Sequence, residues 1–182
     1  AELTLLGTTF SVAPGYVSEE FAAHGVPTAV VDATPEQSEE ARARALELLA
    51  RLEAAGSVEE GTTATAECHL SAAPSIAAAV VDADLVVEAV FERPDVKATA
   101  YEEVEAAATA DTVIATNTSS IPITELALTL RSPGRFLGVH WFVPPLLVPC
   151  VEVIPTGSTD PGVVENVVSA LTALGKIAEF LA

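Results

Sequence analysis

Phe136-Leu137-Gly138-Val139-His140-Trp141-Phe142-Val143-Pro144-Pro145 carries an apolar run to one imidazole and then turns at a proline pair. A second apolar run, Val151, Val153 and Ile154, follows with Glu152 inside it. Short apolar runs bounded by turn residues read as buried strands, and proline ends a strand because it has no N–H for the ladder. The expected arrangement is a strand, a turn and a second strand-like segment that brings Glu152 within reach of His140. A carboxylate on one ring nitrogen fixes the tautomer and leaves the other nitrogen for proton transfer. An isolated histidine is more often a core residue satisfied by a backbone carbonyl, so the flanking chain has to decide between the two.

Toward the N-terminus, Val113–Thr116 reads as a strand, Asn117-Thr118-Ser119-Ser120 as a polar loop, and Pro122 to Leu128 as a helix. Asp95 to about Ala108 forms the helix before them, and Leu85 to Val90 a buried strand that carries Glu88. The chain begins with a strand over Leu3–Leu6 that ends at Gly7, a loop over Thr8–Gly15, and a helix over about Val17–His24 stopped by Gly25. Thr28–Val31 is the next strand and ends in Asp32. Thr34-Pro35-Glu36-Gln37 then opens a helix to about Ala55, with a capping threonine, a proline at the first position and a glutamine three residues after the cap. Leu46, Leu49 and Leu52 form its expected apolar stripe, with Glu40/Arg44 and Glu47/Arg51 pairing on the surface. Val58–Ala66 reads as a loop, Cys68–Leu70 as a short strand and Pro74–Val81 as a short helix. Beyond Glu152, a helix runs from Asp160-Pro161 to Gly175, and Ile177–Leu181 is a last strand. Apolar strands alternating with helices indicate β-α-β units. The expectation is a single α/β domain over residues 1–182, with a doubly wound, mostly parallel, Rossmann-like sheet.

The 182 residues suffice for one buried core, and no apolar run reaches the length of a membrane span. No cationic, apolar leader precedes the first strand, so the expectation is a soluble cytoplasmic protein with no membrane partner. The sequence starts at Ala1 and holds no methionine, which points to a processed or trimmed start. Cys68 and Cys150 lack metal-ligand spacing and read as small buried apolar residues. A net charge of −18 leaves no basic stripe for nucleic acid, and a polyanionic ligand must be held by local contacts against long-range repulsion.

In such a sheet ligands bind at the carboxyl ends of the strands, where Gly7, Asp32, Glu92, Asn117 and His140 fall. Asp32 is placed to accept bonds from the ribose hydroxyls of a dinucleotide and to repel a 2′-phosphate, which favours NAD over NADP. The alternative is an ordinary helix-entry aspartate.

Taken together, Asp84-Leu85-Val86-Val87-Glu88-Ala89-Val90, Glu92, Lys97, Asn117-Thr118-Ser119-Ser120, Ile123-Thr124-Glu125-Leu126, Gly138-Val139-His140, Pro144-Pro145 and Val151-Glu152-Val153 resemble one family. It is the N-terminal NAD-binding domain of the L-3-hydroxyacyl-CoA dehydrogenases, and the resemblance covers nearly the whole chain. Ser119, His140 and Glu152 fall at the intervals of the family's catalytic Ser, His and Glu. The resemblance implies hydride transfer between nicotinamide and C3 of a 3-hydroxyacyl substrate, as in fatty acid metabolism, carried as a CoA or carrier-protein thioester. It makes His140 the general base, Glu152 its orienting carboxylate and Ser119 a donor to the reacting oxygen. It puts Glu92 and Lys97 at the nicotinamide end of the cofactor site, with the Ala89 backbone on its wall and Asn117 nearby. Otherwise the pair would be an exposed helix start, a reading that suits Lys97 better than Glu92, and Ser119 a helix cap. The family's helical C-terminal domain, which closes over the substrate and dimerises, is not in this sequence. The expectation is therefore a piece of a longer homodimeric protein.

The chain departs from the family at two places. The glycine pattern G-x-G-x-x-G reads Gly7-Thr8-Thr9-Phe10-Ser11-Val12, with side chains where the backbone should meet the pyrophosphate and pack on the strand. Val143 stands where the family has an asparagine that polarises the substrate carbonyl, and loss of such a donor costs about 3 kcal/mol of transition-state stabilisation. A second reading follows: a catalytically impaired relative kept as a structural or interaction domain. The lost glycines favour it; the retained Ser119, His140 and Glu152 favour the enzyme.

Overall fold

The computed structural model describes the backbone of residues 2–7 and 16–181 and the side chains from Val17 to Leu181. In chain order the elements are β1 (Glu2–Gly7), α1 (Tyr16–Ala23), β2 (Thr28–Val31), α2 (Pro35–Ala54), α3 (Thr62–His69), β3 (Leu70–Ala72), α4 (Ile76–Val80) and β4 (Ala83–Ala89). They continue with α5 (Pro94–Ala107), β5 (Val113–Thr116), α6 (Ile123–Ala127), β6 (Phe136–Trp141), β7 (Cys150–Pro155), α7 (Pro161–Ala173) and β8 (Ile177–Phe180). The loop holding Thr9 and Val12 lies outside the described residues.

The strands join in one sheet in the order β3-β2-β1-β4-β5-β6-β7-β8, parallel throughout except where β7 runs antiparallel to β6. Strand order reverses between β1 and β4, so the two half-sheets wind away from each other and leave a crevice at their carboxyl ends. This is the doubly wound, mostly parallel α/β fold expected. Alternate residues of each central strand face opposite layers. Leu85, Val87, Val113, Ala115, Leu137, Val139 and Trp141 meet Val17 and Phe21 of α1 and Val167 and Leu171 of α7. Val86, Ile114 and Phe136 face the other way, onto Tyr101 and Val104 of α5 and Leu126 of α6. Each large apolar side chain buried in this way contributes roughly 1.5–3 kcal/mol, so the two layers dominate the fold's stability.

Gly138 makes room for α6. A Cβ there would overlap the end of the Ile123 side chain and lie 3.2 Å from Ile154 Cβ, so the bare glycine lets Ile123 of α6 pack directly on β6. Thr34 caps α2 as its sequence indicates, accepting a hydrogen bond from Gln37 N at 3.3 Å.

Several local expectations are corrected. Residues 58–66 are not all loop, because α3 begins at Thr62, and the strand expected at Cys68–Leu70 is β3, paired with β2 from Leu70 onward. The buried face of α2 is Ser38, Ala41, Ala45 and Leu49, small side chains that let it lie close; Leu46 and Leu52 are only partly covered. Cys68 is exposed and Cys150 partly so, neither being a core residue. Among the described residues no helix is long and apolar enough to cross a membrane.

Candidate active site

β6 and β7 pair antiparallel with His140 directly opposite Glu152, which puts both side chains on one face of the sheet. The imidazole Nδ1 lies 2.6 Å from Glu152 Oε2 and its Nε2 3.1 Å from Ser119 Oγ. With Nδ1 carrying the proton donated to Glu152, Nε2 is left as an acceptor facing the Ser119 hydroxyl. The Phe142 ring stands edge-on to the imidazole at 5.2 Å between centroids. His140 and Glu152 are only partly buried, so the free side of the ring is reachable by a ligand.

Ser119 reaches this position on the loop after β5. Asn117 Oδ1 accepts the Trp141 backbone N–H at 2.9 Å, bridging β5 and β6 beyond the last ladder pair, Thr116 with Gly138. Glu92 clasps the same loop: one carboxylate oxygen accepts from Thr118 Oγ1 at 2.5 Å, Ser119 N at 3.1 Å, Ser120 N at 3.0 Å and Ser120 Oγ at 3.0 Å. Its partial burial would raise its pKa, but the Thr118 hydrogen bond, the Lys97 charge and the Ser120 bonds outweigh this and hold it at about 2. Glu92 is therefore ionised at neutral pH.

Lys97 is buried behind Glu92, 3.3 Å from its second oxygen, and is not an exposed helix-start lysine. Its ammonium donates to Glu88 Oε1 at 2.7 Å. Glu88 is fully buried on the α5 face of β4 and also accepts from Val90 N at 2.7 Å, Tyr101 Oη at 2.7 Å and Thr116 Oγ1 at 2.8 Å. Burial and the Glu88 charge push the Tyr101 pKa up, so its hydroxyl remains a donor. Sequence reasoning gave Glu88, Tyr101, Thr116 and Thr118 no role. The available signal was Glu88 itself, a carboxylate in a buried strand, which must find donors nearby.

On the other side of the crevice Asp32 follows β2, and Gly7 ends the adjacent β1. Asp32 Oδ1 accepts the Ala33 N–H at 2.7 Å, which holds the partly exposed carboxylate at the strand end. The groups at the two ends would suit a dinucleotide: the Asp32 carboxylate could accept from ribose hydroxyls beside Gly7, and the Ala89 backbone and the Glu92 loop would line the other end next to His140. Lys97 would act there through Glu92, since its own ammonium is covered. No cluster of three or more histidine, cysteine or carboxylate side chains that could hold a metal occurs among the described residues.

The chain is similar in structure to FadB2 of M. tuberculosis, with a TM-score of 0.91 and 30% identity over 99% of this chain and 63% of that one. It superposes comparably on (S)-3-hydroxybutyryl-CoA dehydrogenase PaaH1 from Ralstonia eutropha, at TM-score 0.89 and 25% identity, covering 99% of this chain and 62% of that one. For 3-hydroxybutyryl-CoA dehydrogenase from Escherichia coli the TM-score is 0.88 and the identity 27%, over 99% of this chain and 38% of that one. This chain thus spans less than two thirds of the length of these proteins. The family model described as "3-hydroxyacyl-CoA dehydrogenase, NAD binding domain" matches residues 15–178, starting just after the altered glycine segment. On a match over that much of its length, the chain belongs to the family of 3-hydroxyacyl-CoA dehydrogenase NAD-binding domains.

Proposed function

We propose that this chain forms the cofactor-binding half of an NAD-dependent oxidoreductase acting at C3 of a 3-hydroxyacyl thioester or a related 3-hydroxy acid. The observation that carries this reading is the unbroken line from Ser119 Oγ through His140 to Glu152, at 3.1 and 2.6 Å. Bound NAD supplies the hydride acceptor. His140 Nε2 takes the proton of the C3 hydroxyl, and Glu152 stabilises the resulting imidazolium through Nδ1–H. In the reverse direction the imidazolium returns that proton to the oxygen of the 3-oxo group. Ser119 donates to the same oxygen, and Glu92 holds the loop that keeps Ser119 there. Asp32 and Gly7 bind the adenosine side, and the Ala89 backbone, Glu92 and Asn117 shape the nicotinamide side.

The activity named for the Ralstonia and Escherichia proteins supports a CoA thioester as substrate, with a carrier-protein thioester as the alternative. A homodimer in the cytoplasm, working in fatty acid metabolism, belongs to the same proposal. Val143, 54% exposed in the turn after His140, favours the second reading of a catalytically impaired relative, since it offers no hydrogen bond to a substrate carbonyl.

The deciding experiment titrates the full-length protein with NADH by fluorescence and follows NADH oxidation with an acetoacetyl thioester. Binding with turnover is expected. A Val143→Asn change should raise turnover about ten- to a hundredfold, or roughly 1.4–2.7 kcal/mol, by restoring one donor. Normal NADH binding with no turnover in either form would move the assignment to the non-catalytic domain.

A further inference from the structure

Lys176 lies at the junction between α7 and β8, outside every motif considered above, yet its side chain is almost fully covered. Its ammonium donates to the Pro145 carbonyl at 2.6 Å, pairs with Glu20 Oε1 at 2.7 Å and stands 5.9 Å from the centroid of the Trp141 ring. These three contacts come from different parts of the fold. Trp141 follows His140 in β6, Pro145 lies in the turn between β6 and β7, and Glu20 lies on α1, whose Phe21 packs edge-on against Trp141 at 5.4 Å.

That turn has few means of its own to stay in place. Pro144 and Pro145 offer no N–H, and the internal bonds across it run from Leu147 N and Val148 N to Pro144 O, both at 3.0 Å. It is tied to the body of the protein by the packing of Leu146 on the cluster that holds Ala22 and Leu49 and, from the α7–β8 junction, by Lys176 at Pro145 and by Ile177 N at Pro149 O, 2.8 Å away. The turn also presents exposed apolar side chains, Phe142, Val143 and Leu147, and of these the Phe142 ring stands edge-on to His140. Burial pushes the Glu20 carboxyl up, while the hydrogen bond and charge of Lys176, with the charge of His24, pull it back. An ammonium in so covered a place is retained only where it is paired, and this one spends its bonds on holding α1 and the turn together.

We propose that Lys176 is a positioning residue for the substrate: it pins the Phe142–Pro149 turn to α1 and so sets the apolar surface that the acyl group meets beside His140. The kinetic part of this proposal rests on the dehydrogenase reading above; the structural part does not.

Removing one partner alone leaves an uncompensated buried charge, so the test uses the neutral double variant Glu20→Gln/Lys176→Met in the full-length protein. With an acetoacetyl thioester and NADH, KM for the thioester should rise about tenfold while kcat stays within about threefold and the NADH Kd within about twofold. Amide exchange at Leu147 and Val148 should quicken by about tenfold, while that at Val104 in α5 keeps its rate. An unchanged KM with unchanged turn exchange overturns the proposal. Faster exchange at Val104 as well also overturns it, since Lys176 would then hold the whole fold and not the turn. If the wild type binds NADH but turns over no thioester, the dehydrogenase reading fails, and the exchange comparison still decides whether Lys176 pins the turn.

Discussion

Glu88 and Glu19 are both buried glutamates in the same domain, and they are treated in opposite ways. Glu88, under the crevice between β4 and α5, accepts four hydrogen bonds, one of them from an ammonium. Glu19, on α1, has an Oε2 with no hydrogen-bond partner among the described residues, and burial with the adjacent Glu20 charge raises its pKa to about 9 against a bond from its own backbone N–H. A carboxylate costs little to bury where donors converge on it, and otherwise keeps its proton. The β4–β6 side of the molecule is thus organised to hold charge in fixed places, as the proposed proton transfer at His140 would require. The described part of α1 shows no comparable set of donors around Glu19.

The largest test of this contrast is at the centre of the charged side. His140→Gln preserves size and hydrogen bonding but removes the titrating group, and kcat should fall about a thousandfold, within the range for loss of a general base. The NADH Kd should stay the same. A fall of less than tenfold would mean that the side chain is only structural there, and the contrast would lose its functional meaning.

The second test concerns Glu19. Between an unfolded pKa near 4.5 and a folded one of about 9, the folded chain binds more protons than the unfolded chain, so stability declines as pH rises through that window. Glu19→Gln should abolish the decline, gaining on the order of 2–3 kcal/mol at pH 8 and little at pH 5. Urea unfolding at the two pH values measures it. An equal gain at both would show that Glu19 is not held neutral.

The smallest effect is expected at Tyr101. Tyr101→Phe removes one of four donors to Glu88 without changing the packing volume, and should cost about 1 kcal/mol in urea unfolding. A stabilised variant would indicate that Glu88 has more donors than it needs.

The His140–Glu152 pair was legible in the sequence because a hairpin carries it. His140 and Glu152 flank one turn, and cross-strand pairing follows from two apolar runs joined by Pro144-Pro145. The doubly wound sheet was legible for a related reason, since its central strands are continuous apolar runs of the kind that buried parallel strands require. α3 was hidden because only Ala66 is buried along Thr62–His69, so no apolar stripe announces a helix, and its first turn follows Gly61 at a φ of 91°. The covered face of α2 differs from the expected leucine stripe for the opposite reason, although Leu49 of that stripe is fully buried. Leucines stand out in a sequence, yet close approach between elements selected Ala41 and Ala45. The partners of Lys97 and Lys176 were illegible because each buried charge is satisfied across the fold, and only tertiary structure says which carboxylate or carbonyl arrives.

Gly138 has one more consequence, for evolution and for engineering. It stands two residues before His140 and touches α6, the element that continues the Ser119 loop. A single added methyl would meet the end of the Ile123 side chain, so Ile123 would have to repack or α6 to shift, which disturbs the seat of the Ser119 loop without any change at Ser119, His140 or Glu152. A library of single substitutions should therefore contain two silent kinds of failure in this short strand. Changes at His140 should yield abundant, inert protein, whereas larger residues at Gly138 should lower both yield and activity. A lineage that lost the reaction would be free to vary at the first position long before it could vary at the second.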